Sequence, residues 1–162
     1  MYLPFEEMPD HARIWVYQSD RKLTPEEEKS VSEKLRDFCQ KWNTHGTLMP
    51  TSYDIKLGKF IILAVDESQL GASGCSIDSS VKTLKTIEDE LGLNLLNRGK
   101  VSYMDGEEVA TTTLPDIKNH ITSGKLVRDT YIFNPVVEKK QDLEKKWMIS
   151  AEESWLNKYF NN

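Results

Sequence analysis

Phe60-Ile61-Ile62-Leu63-Ala64-Val65, closed by Asp66-Glu67 and followed by the small-residue run Leu70-Gly71-Ala72-Ser73-Gly74-Cys75-Ser76 and a periodic segment ending at Gly92, decides how this chain folds. The first part is an unbroken apolar run rich in branched side chains, the pattern of a strand covered on both faces, and it predicts a central strand. Beyond the loop, apolar residues recur at Ile77, Val81, Leu84, Ile87 and Leu91. Those spacings of four, three, three and four place them on one face of a helix. Ser76 is the expected N-cap, because its hydroxyl can accept from a free N–H of the first turn, and Asp78 adds negative charge where the helix dipole favours it. Gly92 is placed to end the helix in a left-handed conformation.

A helix start preceded by glycines presents unpaired N–H groups that can hold a phosphate or carboxylate, which makes Ser73, Gly74, Cys75 and Ser76 the candidate ligand-binding residues. The plainer reading is that Gly71 and Gly74 turn strand into helix while Ser76 caps it. Asp78 would compete with a bound anion.

Upstream, Ile14-Trp15-Val16-Tyr17 is a short β-type run, and Thr24-Pro25-Glu26-Glu27 opens a helix: Thr24 caps, Pro25 takes the first position and Glu27 completes a capping box. Val31, Leu35, Phe38, Cys39 and Trp42 form its buried stripe, and Asn43-Thr44-His45-Gly46 stops it. Ser52 to Leu57 alternates before a turn at Gly58-Lys59, giving a hairpin into the central strand.

Downstream, Val101–Met104 and Glu108–Thr113 flank Asp105-Gly106, a second hairpin signal. Leu114-Pro115-Asp116 opens a short helix, Thr130–Phe133 is a last strand, and Lys139–Lys146 is charged with a helical reading. Ser150-Ala151-Glu152-Glu153 reads as a capping box opening a terminal helix that carries Trp155, Leu156, Tyr159 and Phe160. That tail, with Trp42 and Trp147, is expected to dock in the core, or to serve a partner if exposed. Strand, helix, strand, strand, helix, strand up to Met104 matches a split βαβ, ferredoxin-like core with a C-terminal elaboration. The expectation is an α+β fold, an antiparallel or mixed sheet with helices on one face. With no repeat or linker in view, residues 1–162 read as one domain.

The 162 residues are enough for a real core, and a net charge of −5 gives no global pull toward nucleic acid or anionic membrane. The longest apolar run is far short of the roughly 20 residues that span a bilayer, and the N-terminus lacks a basic, then apolar, signal pattern. Cys39 and Cys75 make no metal-ligand spacing and suit a reducing compartment, so a cytoplasmic location is expected. No cofactor or metal is called for.

At Arg13-Ile14-Trp15, Trp42 with His45-Gly46, Leu63-Ala64-Val65-Asp66-Glu67, Ser73-Gly74-Cys75-Ser76-Ile77-Asp78 and Glu153-Ser154-Trp155, the chain resembles a family of small uncharacterised Bacteroidetes proteins often labelled "ABC transporter ATPase". The resemblance runs over nearly the whole length and brings no catalytic residue with it. A phosphate-binding loop needs Gly-x-x-x-x-Gly-Lys-Ser/Thr. Asn94 to Val101 has Gly99-Lys100, but Asn94 stands at the first glycine and Val101 replaces the hydroxyl. Ala72-Ser73-Gly74-Cys75-Ser76 resembles the Ser-Gly-Gly-Gln signature loop of such ATPases only faintly, so ATP hydrolysis is not expected.

Cys75 is the foremost catalytic candidate, since a cysteine beside a helix start has its thiolate favoured by free N–H groups, though it needs a base from His11, His45 or His120. Asp66 and Asp78, with Asp54, form a second candidate set if hairpin and helix bring them together around a divalent metal. The leading expectation is a non-catalytic domain that binds a protein partner or small ligand. The alternative is an enzyme with a thiol or acidic-cluster site at residues 71–78. A concave pocket there, beside a histidine or several carboxylates, would favour the enzyme. A flat surface with Cys75 covered would favour the binder.

Overall fold

The elements are, in chain order, β1 (Arg13–Gln18), α1 (Pro25–Lys41), β2 (Asn43–Thr44), β3 (Thr47–Leu48), β4 (Thr51–Lys56), β5 (Phe60–Val65), α2 (Gly74–Leu91), β6 (Lys100–Asp105), β7 (Glu108–Thr113), α3 (Leu114–Thr122), β8 (Tyr131–Phe133), α4 (Asp142–Lys145) and β9 (Met148–Ser150). This computed structural model describes residues 1–160. The fold is α+β, with antiparallel sheets. Although no Pro- or Gly-rich linker breaks the sequence, the chain gathers into two compact units: Met1–Leu96 with Glu138–Gln141, and Asn97–Val137 with Asp142 onward.

In the first unit β5 lies between β1 and β4, antiparallel to both, and all of its residues are buried as the apolar run requires. Ile61, Leu63 and Val65 share one core with Val31 and Leu35 of α1 and Leu84 and Ile87 of α2, so both helices cover the same face. Each such side chain contributes roughly 1.5–3 kcal/mol when fully buried. The turn into β5 is Leu57-Gly58-Lys59, with Leu57 (φ 58°) and Gly58 (φ 62°) left-handed, a conformation that glycine adopts without strain.

The order β1-β5-β4 sets β1 and β4 parallel with β5 between them, the first three strands of the split βαβ pattern. The expected fourth strand, β6, does not join them; it belongs to the sheet of the second unit. After α2, Leu93 and Leu95 enter the core, and Asp20 and Asn94 exchange hydrogen bonds (Asp20 N–H to the Asn94 carbonyl, 3.2 Å; Asn94 N–H to the Asp20 carboxylate, 2.9 Å), which tie the exit of α2 to the segment just past β1. Residues 138–141 pair with the β1 edge instead: Ile14 N–H donates to the Glu138 carbonyl and Lys140 N–H to that of Ala12, both at 2.9 Å.

The second unit has a four-stranded sheet, β7-β6-β8-β9, with Val101, Tyr103, Ile117, Leu126, Ile132, Ala151 and Leu156 in its core. The terminal helix expected from Ser150 is two short 3₁₀ turns, Ala151–Glu153 and Trp155–Tyr159. Ser154 breaks it, because its backbone is extended and its hydroxyl accepts from Leu156 N–H, restarting the chain with a second cap. Leu156 is fully buried while Trp155 is 37% exposed, so only part of the aromatic tail docks. Within Lys139–Lys146 only Asp142–Lys145 is helical, and β9 is a strand that the sequence pattern does not announce.

α2 starts earlier than expected. Ser73, not Ser76, is the N-cap, its hydroxyl accepting from Ser76 N–H at 3.1 Å. Ser76 is buried and its hydroxyl donates back to the Ser73 carbonyl at 2.7 Å, so it cannot serve as the cap. Gly92 ends the helix left-handed (φ 64°), with its N–H on the Glu88 carbonyl. No helix among the described residues is long and apolar enough to cross a membrane.

Candidate functional site

The end of α1 and the β2–β3 hairpin meet the loop into α2, tied to it by hydrogen bonds from two buried side chains, Trp42 and Thr44. Trp42, which follows α1, is 2% exposed, and its indole N–H donates to the Ser76 carbonyl at 2.8 Å. Thr44 of β2 donates its hydroxyl to the Gly71 carbonyl at 2.9 Å and accepts from Ser73 N–H at 3.3 Å. Between β2 and β3 the chain turns through His45 (φ 51°) and Gly46 (φ 83°), two left-handed residues of the type that suits a two-residue hairpin. Asn43 Oδ1 accepts from Gly46 N–H at 3.0 Å and holds that turn closed. The end of α1, the hairpin and the loop into α2 are thereby fixed in one place.

They enclose a cavity of about 370 Å³, lined by Phe38, Lys41, Trp42, Asn43, His45, Ser73, Cys75, Ser76 and Ser79. Phe38 and Trp42 form an aromatic wall, their ring centroids 4.9 Å apart. Lys41 and His45 are the only ionisable nitrogens in the lining, and no carboxylate is part of it. Gly74 and Cys75 occupy the first turn of α2, where their N–H groups have no intrahelical acceptor. The Ser76 N–H is already satisfied by Ser73, so any anion would meet a short arc of donors rather than a full nest. A methyl group added at Gly74 would meet nothing within 4 Å, so this glycine is not forced by packing.

Of the candidate residues, Ser73, Cys75 and Ser76 line the cavity, and Cys75 is exposed to it. Asp78 is exposed on α2 and outside the lining. Asp66 serves a turn, accepting from Ser68 N–H at 3.0 Å and lying 3.5 Å from His11, and the Ser68 hydrogen bonds followed by His11 hold its carboxyl below its ordinary range. Asp54 pairs with Lys56 at 3.2 Å. The acidic trio is therefore not assembled: Asp54 stands opposite Ile62 while Asp66 follows Val65, about four residues or roughly 13 Å along the strand. No group of three or more His, Cys, Asp or Glu among the described residues could hold a metal ion. Cys39 is fully buried, and burial pushes its thiol up to about 12.

A scan against family models finds no match, and comparisons with curated proteins and with solved structures find none either. The reading of the site rests on its own geometry. For nucleotide hydrolysis that geometry is adverse, because Gly99-Lys100 leads into strand β6, whereas a phosphate loop must lead into a helix whose N–H groups face the phosphates. Gly99 N–H is bonded to Asn97 Oδ1 at 2.8 Å. His45 was one of three histidines without a visible route to Cys75. Its place in the lining of the same cavity as Cys75 comes from the hairpin β2–β3, and the residue pattern gave only a helix stop there. Lys41 and Ser79 carried no signal beyond a solvated helix face.

Proposed function

We propose that this protein is a non-catalytic binding domain whose ligand is a small molecule carrying an anionic group, held at the start of α2. The observation that carries the reading is the cavity of about 370 Å³ that gathers Lys41, His45, Cys75 of the first turn of α2 and the Phe38–Trp42 wall, with no carboxylate in its lining. Its size falls in the range of ligand pockets, and its polar groups converge on one side of an aromatic wall, as such pockets do. A phosphate or carboxylate would sit against Gly74 and Cys75 with the remainder of the ligand against the partly buried Phe38 ring. Two free cysteines and the lack of any membrane-crossing helix among the described residues support a cytoplasmic setting.

Titrating the full chain with inorganic phosphate and with benzoate, and following backbone amide resonances, tests this. Saturable shifts confined to Gly74, Cys75 and the His45 turn are expected. Shifts spread over the surface, or none, would reject the pocket as an anion site.

The second reading, a thiol enzyme, is the one that a concave pocket beside a histidine favours, and the pocket has that form: Cys75 is exposed and lines it together with His45, although no hydrogen bond joins the two. It ranks below binding because His45 sits at the tip of an exposed turn and its imidazole has no hydrogen-bond partner among the described residues to orient it. His45→Ala should leave ligand affinity reduced and no turnover to lose.

A further inference from the structure

The sheet of the second unit ends in β9, whose only neighbour in the order β7-β6-β8-β9 is β8. Asn134 N–H donates to the Trp147 carbonyl at 2.6 Å and Ala151 N–H to that of Thr130 at 2.8 Å, which fixes where the bonded pairs of this ladder fall. Bonded and non-bonded pairs alternate between antiparallel strands, so Ile149 faces Ile132 with its backbone groups, while Met148 and Ser150 turn theirs outward. The Met148 N–H and C=O and the Ser150 N–H have no hydrogen-bond partner among the described residues. In the first unit both outer strands are met by another segment: Leu3 N–H donates to the Thr51 carbonyl of β4 at 2.8 Å, and residues 138–141 pair with β1. Natural edges are also guarded by charged side chains or proline, and Met148-Ile149-Ser150 has neither.

Beside this edge lies a cavity of about 500 Å³, with Pro135, Val136, Ile149 and Trp155 as its apolar lining. Val136 is 69% exposed. No cation of the described residues stands over the Trp155 ring, unlike those of Trp15, Tyr2 and Phe5, and its indole N–H has no acceptor among them. Glu153 is the only ionisable group in the lining, and its carboxylate has no ion-pair or hydrogen-bond partner among the described residues. An open strand offers main-chain hydrogen bonds to an extended peptide, and a hollow beside it selects the side chain that the peptide presents there. Charge decides between the possible occupants. A second copy of this chain, itself carrying a net charge of −5, would bring another Glu153 to the same edge, whereas a basic segment meets Glu153 with the opposite sign. We propose that the β9 edge and its hollow dock an extended segment of a partner protein, with an apolar side chain beside Trp155 and a lysine or arginine against Glu153.

Titrating the full chain with the peptide acetyl-Lys-Val-Thr-Val-Thr-Lys-amide, while following backbone amide resonances, tests the assignment. Saturable shifts at Met148 and Ser150 are expected, with affinity weakened about tenfold by Trp155→Ala and by Glu153→Gln. The same peptide N-methylated along its backbone should not bind, because it cannot extend a sheet. Glu153 is exposed and its carboxylate holds nothing in the fold, so Glu153→Gln decides the matter if Trp155→Ala fails to fold. No saturable binding, equal affinity in Glu153→Gln, or equal binding of the N-methylated peptide overturns the proposal. Dimerisation of the free chain in sedimentation, lost in Trp155→Ala, would make a second copy the occupant and overturn it too.

Discussion

At the scale of single residues, Glu27 shows how a fully local signal becomes a measurable property. Its carboxylate accepts two hydrogen bonds from Arg21, both at 2.7 Å, and one from Thr24 N–H at 2.9 Å. The Arg21 hydrogen bonds first, and the Thr24 N–H after them, hold its carboxyl down at about 2. In the unfolded chain a glutamate titrates near about 4.3. The lowered folded value means that the stabilising effect is fully present above that unfolded value and is lost as pH falls toward about 2. Glu27→Gln should therefore melt lower than the parent at pH 7, with the gap closing between about pH 4.3 and pH 2. The gap will be small and will shrink in salt, because the pair is exposed to solvent. Melting curves across that pH range check it; a gap that persists at pH 2 would mean the residue acts through packing. The capping box was legible because its partners lie three residues apart. Arg21, which also reaches the Leu91 carbonyl at 3.0 Å, was not, since that contact depends on α2 returning beside α1.

Elements were readable in kind and less so in their ends. The 3.6-residue period found only the later half of the buried face of α2, where Leu84 and Ile87 are fully covered; in the earlier half Ser76 and Ser80 are the buried residues and Val81 is 36% exposed, and the first turn, where Ser73 and Ser76 compete for the cap, was not fixed. Tertiary contact decides that competition, because Trp42 takes the Ser76 carbonyl and draws the residue inside. Ser73→Ala should cost about 1 kcal/mol, the usual worth of an N-cap, whereas Ser76→Ala leaves the cap bond in place because its donor is the backbone N–H. Chemical denaturation of both variants measures this. A Ser73→Ala variant as stable as the parent would contradict the assigned cap. β2 and β3, two residues each, fall below any periodic signal, and yet their turn delivers His45 to the site.

Over the whole molecule, the α+β class and the hairpin β4–β5 followed from pattern, while the partner of each further strand did not. Alternation tells which face of a strand is covered but not which strand lies beside it, and so the edge of β1 is closed by residues 138–141 rather than by β6. The tail divides the same way. Leu156 is fully buried in the core of the second unit, and Leu156→Ala should cost about 2–5 kcal/mol. Trp155 is 37% exposed beside a cavity of about 500 Å³ lined by Pro135, Val136 and Ile149, and Trp155→Ala should cost clearly less. Thermal unfolding of the two variants ranks them, and the reverse order would show that the tail packs through Trp155.

The central claim is that the start of α2 is an open anion-binding pocket with Cys75 inside it. The direct measurement is the rate at which each thiol of the folded protein reacts with a thiol reagent, with and without phosphate. Cys75 should react far faster than Cys39, whose thiol burial holds at about 12, and phosphate should slow Cys75 alone by covering it. A Cys75 as inert as Cys39, or a rate indifferent to phosphate, would contradict the account.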